Sequence, residues 1–143
     1  MSDELLAAYR ATRYAVLDVD GGMLAEARIG EHRPDVDAVL DAHGATSGVF
    51  ITAWNPRSAP THDDVNADAH ARMAGLFAAR GFVALPHAGF GEDPAWRAEH
   101  GFFVLDLPEQ AALRLAVEFA QNAVVVVRRG ESAQLVLSDV MKP

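Results

Sequence analysis

Thr52, Asn55, Arg57 and Ser58 crowd into T-A-W-N-P-R-S (52–58), where an uncharged run from Gly48 to Trp54 ends in polar, rigid residues. An arginine so placed can bind a carboxylate or phosphate through two parallel N–H bonds, with the amide of Asn55 fixing orientation. Glu99 stands beside an apolar strand. A carboxylate partly withdrawn from water there can serve as general acid or base, or pair with Arg57. Gln121 and Asn122 fall between a helix and a strand, and Asn66 in the first turns of another helix. Trp96 can wall a pocket. Together these residues can hold a small anion or a peptide segment. Each also has a plainer use: turn formation for Asn55, Arg57 and Ser58, an ion pair for Glu99, backbone capping for the amides, core cover for Trp96.

Other chemistries lack their residues. No G-x-S-x-G surrounds Ser58, and no histidine is placed by sequence to activate it. G-F-G-E-D (89–93) is not a phosphate loop, and no cofactor motif is found. His62 and His70 lie among Asp63, Asp64 and Asp68 without metal-ligand spacing, so no metal site is expected. The chain has no cysteine, which excludes disulfides and thiolate catalysis and fits a reducing cytosol. Its net charge is −8, and its twelve basic residues are scattered, which disfavours bulk nucleic-acid binding. The acidic start M-S-D-E-L-L does not read as a signal peptide, and no apolar stretch reaches membrane-spanning length, so a soluble cytoplasmic domain is expected.

Ordinary elements must position these groups. At 143 residues, half of them hydrophobic, the chain suits one domain over 1–143. Residues 2–13 read as an amphipathic helix capped by Ser2. Strands at 14–19 and 23–29 flank Asp20-Gly21-Gly22, a hairpin signal. Pro34 opens a short helix that stops at Gly44. Val49–Ile51 read as a strand buried on both faces, ended by Pro56. Thr61-His62-Asp63-Asp64 fits a capping box for a helix over 62–80 with the stripe Val65, Ala69, Met73, Leu76 and Phe77. A strand over 82–85 completes a crossover in which two strands can run parallel. Residues 86–95 read as an irregular loop and 96–100 as one helical turn. A strand at 102–107, a helix capped by Asp106, and strands at 122–127 and 133–140 follow. The expected class is α/β (α+β): a mixed, single-layer sheet of about six or seven strands with three or four helices against it.

T-A-W-N-P-R-S (52–58), Asn66, G-E-D-P-A-W-R-A-E (91–99) and F-A-Q-N-A (119–123), in that order, resemble the bacterial DUF3293 family over about half the chain, from 49 to 127. The chain departs from the resemblance at His100-Gly101. The resemblance implies a small bacterial cytosolic domain and no activity, cofactor or catalytic residue. Two functions stay open. One is a binding or regulatory module whose cluster Thr52, Asn55, Arg57, Asn66, Glu99, Gln121 and Asn122 holds an anionic ligand or a peptide. The other is a small hydrolase or transferase with Glu99 as general base and Arg57 stabilising developing charge. A surface that binds a protein partner is a third possibility.

Overall fold

The computed structural model describes residues 1–95 and 97–141; the expectations for Trp96 and for the tail at 142–143 lie outside the described residues. Seven strands form one sheet: β1 (Arg13–Leu17), β2 (Met23–Ala27), β3 (Ser47–Ile51), β4 (Ala84–Phe90), β5 (Glu99–Leu105), β6 (Ala123–Arg128) and β7 (Gln134–Leu137). The helices are α1 (Asp3–Ala11), α2 (Pro34–Ala42), α3 (Asp63–Arg80) and α4 (Glu109–Glu118). The α+β class with helices against a sheet is as expected. The mixed sheet is not: the order is β2-β1-β4-β5-β3-β6-β7, and each neighbouring pair is antiparallel. β3 and β4 run in the same direction, but β5 lies between them and pairs with both.

The sheet curls until its two edges meet at one end. Ile29, just after β2, bridges in parallel to Ala133, just before β7, and the Gly30 N–H donates to Ala133 O at 2.8 Å. Side chains from every strand then converge on α2. Val36, Val39 and Leu40 pack there with Tyr14, Val16, Ala25, Phe50, Phe103, Val125 and Val127. Phe103 lies across Gly48, where a Cβ would collide with its ring, so glycine is required at that point. This is the concave face. The opposite face carries α3 and α4, where Met73, Phe77 and Leu115, with Phe119 just past the end of α4, cover Val49, Ile51, Phe102, Val104, Val124 and Val126. Burying side chains of this size contributes about 1.5–3 kcal/mol each. Helix α1 differs. Ser2 caps it, accepting the Leu5 N–H at 3.1 Å, yet none of its residues is buried.

Local details depart from expectation for clear reasons. β4 continues through Pro86 to Phe90 instead of giving way to a loop, because Pro86 lies one residue beyond the ladder with β1, where no N–H is needed. His100 and Glu99 belong to β5 and not to a helical turn. Asp106 does not cap α4. Its carboxylate accepts the Thr46 and Ser47 N–H groups at 3.0 and 3.2 Å and fixes the start of β3. The capping box at 61–64 does not form either: His62 is the N-cap without a side-chain bond, and the Thr61 hydroxyl donates to Ala59 O.

Helix α4 ends with the Gln121 N–H on Ala116 O at 2.7 Å and the Ala120 N–H on Val117 O at 3.1 Å, a Schellman pattern with alanine, φ 54°, where glycine is usual. A left-handed alanine costs about 1 kcal/mol. Ala120→Gly is therefore expected to stabilise the fold by about 0.5–1 kcal/mol in urea unfolding, since the gain outweighs the looser unfolded chain.

Candidate functional site

Where α2 ends, the concave face is left open, and α1 roofs it. The result is a cavity of about 650 Å³. Its floor is Tyr14, Phe50, His87, Gly89, Ala123 and Val125, and its roof is Leu5, Ala8 and Tyr9 of α1. The floor rings pack on one another, with centroid separations of 5.7 Å for Tyr14–Phe50, 5.8 Å for Tyr14–His87 and 5.0 Å for Phe50–His87. Tyr9 and Tyr14 are tied together, the Tyr14 hydroxyl donating to Tyr9 O at 3.3 Å.

One end of the cavity is the polar turn after β3. Asn55 adopts a left-handed backbone, φ 49°, which asparagine tolerates. Its side chain is a junction. Nδ2 donates to Glu99 Oε1 at 2.7 Å, while Oδ1 accepts the Thr61 N–H and Asn66 Nδ2, each at 3.1 Å. Asn66 is buried and returns the bond, its Oδ1 accepting the Asn55 N–H at 2.9 Å. The Thr52 hydroxyl donates to His100 O at 2.7 Å and accepts the Trp54 N–H at 3.0 Å. Gln121 Nε2 donates to Trp54 O at 3.0 Å, and Asn122 Nδ2 to Ser58 Oγ at 3.0 Å. The Tyr9 hydroxyl lies 3.5 Å from that same Ser58 oxygen.

Thr52, Asn55, Ser58, Glu99 and Gln121 thus line one cavity. Asn66 and Asn122 stand behind them and brace the turn. Trp96 lies outside the described residues. Arg57 is not brought together with these residues. It is exposed, does not line the cavity, and forms no ion pair among the described residues; its backbone N–H is spent on Ala120 O at 2.7 Å. Glu99 pairs with the neutral Asn55, not with Arg57. Among the described residues, the charged ones in the wall are Glu4, Glu92, Asp93 and Glu99, all acidic.

Burial dominates the proton equilibria. It pushes the Glu99 carboxyl up, with the Asn55 bond opposing. It pushes the Tyr9 phenol up, partly offset by Ser58, and raises Tyr14 in the same way. His87, 4% exposed, is driven down to about 4, although its Nδ1 contact of 3.2 Å with Ala15 O favours the charged form. With Nδ1–H donating to that carbonyl, neutral His87 has a bare acceptor at Nε2.

The family profile described as "Protein of unknown function (DUF3293)" matches residues 51–124, more than half of the chain. The chain belongs to the DUF3293 family. The DUF3293 segment contains the polar turn, α3, β4, β5 and α4, and so carries Asn55, Asn66, His87, Gly89, Glu99 and Gln121. Tyr9, Tyr14 and Phe50 precede it. No curated protein and no solved structure matches the chain. No helix among the described residues is long and apolar enough to cross a membrane.

Sequence reasoning missed the floor and the roof of the cavity. His87 and Gly89 sat in the presumed loop; the alternation Leu85-His87-Gly89 against Pro86-Ala88-Phe90 was the available signal, hidden by the proline.

His87 also dictates a pH response. Its folded value is depressed below its ordinary 6.5, so its contribution to stability is present above 6.5 and is lost as pH falls towards about 4. Glu99 acts oppositely: its folded value is raised, so its contribution is full below 4.5 and is lost as pH rises through the folded value. His87→Phe keeps a ring but takes no proton. Relative to wild type, that variant should gain up to about 3 kcal/mol between pH 6.5 and 4 in urea unfolding. A pH-independent difference would mean that His87 is not buried neutral.

Proposed function

We propose that this DUF3293 protein is a small-molecule binding module and that the cavity between α1 and the concave sheet face is its site. The observation that carries this reading is an opening of about 650 Å³, large enough for a drug-sized ligand, with aromatic and aliphatic walls and polar groups gathered at one end. The roof supports it too. α1 buries none of its own residues, so it can shift to admit a ligand without breaking a core. The ligand would set its apolar body on Phe50, Tyr14 and Val125 and its polar end towards Glu99, Asn55 and Gln121.

A second reading keeps Glu99 as a general acid or base, favoured by the upward displacement that burial gives its carboxyl. It lacks the expected charge stabiliser, since Arg57 is outside the cavity. Turnover abolished by Glu99→Gln would promote it over simple binding.

The neutral fluorophore N-phenyl-1-naphthylamine tests the site itself. A Cβ at Gly89 would meet Thr12 Cγ2 at 3.6 Å and His87 Cε1 at 3.7 Å, ordinary contacts, so a side chain there is admitted and grows into the cavity. The probe should brighten on wild type and stay dark on folded Gly89→Leu. Should that variant not fold, Ala123→Leu fills the same floor. Equal brightening on wild type and a filled variant, or none on wild type, would remove the cavity as a site.

A further inference from the structure

We infer that the polar end of the ligand is an ammonium group: the cavity takes an amine with a flat apolar body. This rests on the cavity's being the binding site. The chemistry comes from which groups are left without a partner. Glu99 spends Oε1 on Asn55, and its Oε2 has no hydrogen bond among the described residues. His87 is buried, spends Nδ1 on Ala15 O, and presents Nε2 with no bond among the described residues. Both unspent atoms are acceptors. Neither atom is sealed from solvent, so a ligand that displaces water from them must return N–H or O–H donors to avoid leaving them unpaired.

The sheet register places the two acceptors side by side. Gly89 lies opposite Glu99 and His87 opposite Gly101 on the adjacent strands β4 and β5. Glu99 and His87 are therefore diagonal neighbours on one face, with Cα atoms about 7–8 Å apart. Gly89, at another corner of that square, has no side chain to fill the space between them. A nitrogen with two or three N–H groups can reach both acceptors there. An alcohol has one donor, and a carboxylate has none.

Charge agrees with donor count. Glu99 stands in a wall whose other charged members among the described residues, Glu4, Glu92 and Asp93, are also acidic, and among those residues no lysine or arginine lines the cavity. A carboxylate ligand would meet repulsion with no cation to offset it, whereas an ammonium gains a desolvated counter-charge. Tyr9, Tyr14 and Phe50 line the cavity, and aromatic walls can attract cations in a way that anions do not share. Neutral His87 does not compete for the carboxylate, since burial keeps its ring uncharged.

Three ligands with one ring system separate the classes: 2-naphthylmethylamine, 2-naphthylmethanol and 2-naphthoate, each titrated by calorimetry and by displacement of N-phenyl-1-naphthylamine at pH 7.5. The amine should bind at least about tenfold more tightly than the alcohol, and the carboxylate more weakly still. Glu99→Gln should erase the preference for amine over alcohol while the alcohol still binds. An alcohol or carboxylate that matches the amine overturns the ammonium assignment and leaves the cavity reading standing. So does failure of all three to displace a fluorophore that does bind. If the fluorophore does not bind wild type either, both readings fall together.

Discussion

The curl of the sheet is the constraint on which the rest depends. Once the segment after β2 closes onto the segment before β7 through Ile29 and Ala133, the concave face becomes a trough lined by all seven strands. Helix α2 is nine residues long and fills one end with Val36, Val39 and Leu40. A helix of that length spans about 14 Å, so it cannot cover the whole trough. The remainder needs another cover, and α1 lies over its rim without burying a residue, with Gly91, Glu92 and Asp93 also in the wall. The cavity follows from an undersized plug, not from a defect in packing. On the other face, α3 and α4 pack over β3, β5 and β6.

The chemistry of the cavity is set by Asn55. Its backbone, and those of Arg57 and Ser58 after it, are left-handed, a run that non-glycine residues avoid unless held. Holding comes from both sides: Asn66 clamps Asn55, Ala120 O receives the Arg57 N–H, and Asn122 reaches Ser58. The product is an amide aimed at Glu99, which fixes one carboxylate oxygen and leaves the other for something else. Most of the polar cluster is therefore scaffolding. Asn66, Asn122 and Thr52 build the turn; Glu99 and His87 face the open volume.

Much of this was legible in residue types. Glycine and aspartate marked the first hairpin, Pro34 the start of α2, and Gly81 the end of α3, with φ 77°. The run Val49–Ile51 gave the central strand. What failed did so physically. Val65 sits in the apolar stripe of α3 but is 51% exposed, because the helix turns Asn66 inward to brace Asn55. Pro86 reads as a strand breaker, yet the neighbouring ladder stops just short of it. That one residue concealed β4 beyond Leu85, and with it His87 and Gly89. Antiparallel pairing of β5 between β3 and β4 depends on contacts far apart in sequence, which no local pattern records. Arg57 was legible as an anion binder by type, but its left-handed backbone sets it outside the cavity, which residue type alone does not record.

The most direct measurement of the central claim, a ligand site on the concave face under α1, is a backbone amide NMR titration of the intact chain with 2-naphthylmethylamine. Shifts are expected to concentrate at Tyr9 and neighbouring α1 residues, at His87 and Gly89 of β4, at Glu99, and at Ala123 and Val125, with α3 and the outer side of α4 unmoved. Shifts gathered instead on α3, or spread evenly over the acidic surface, would contradict it.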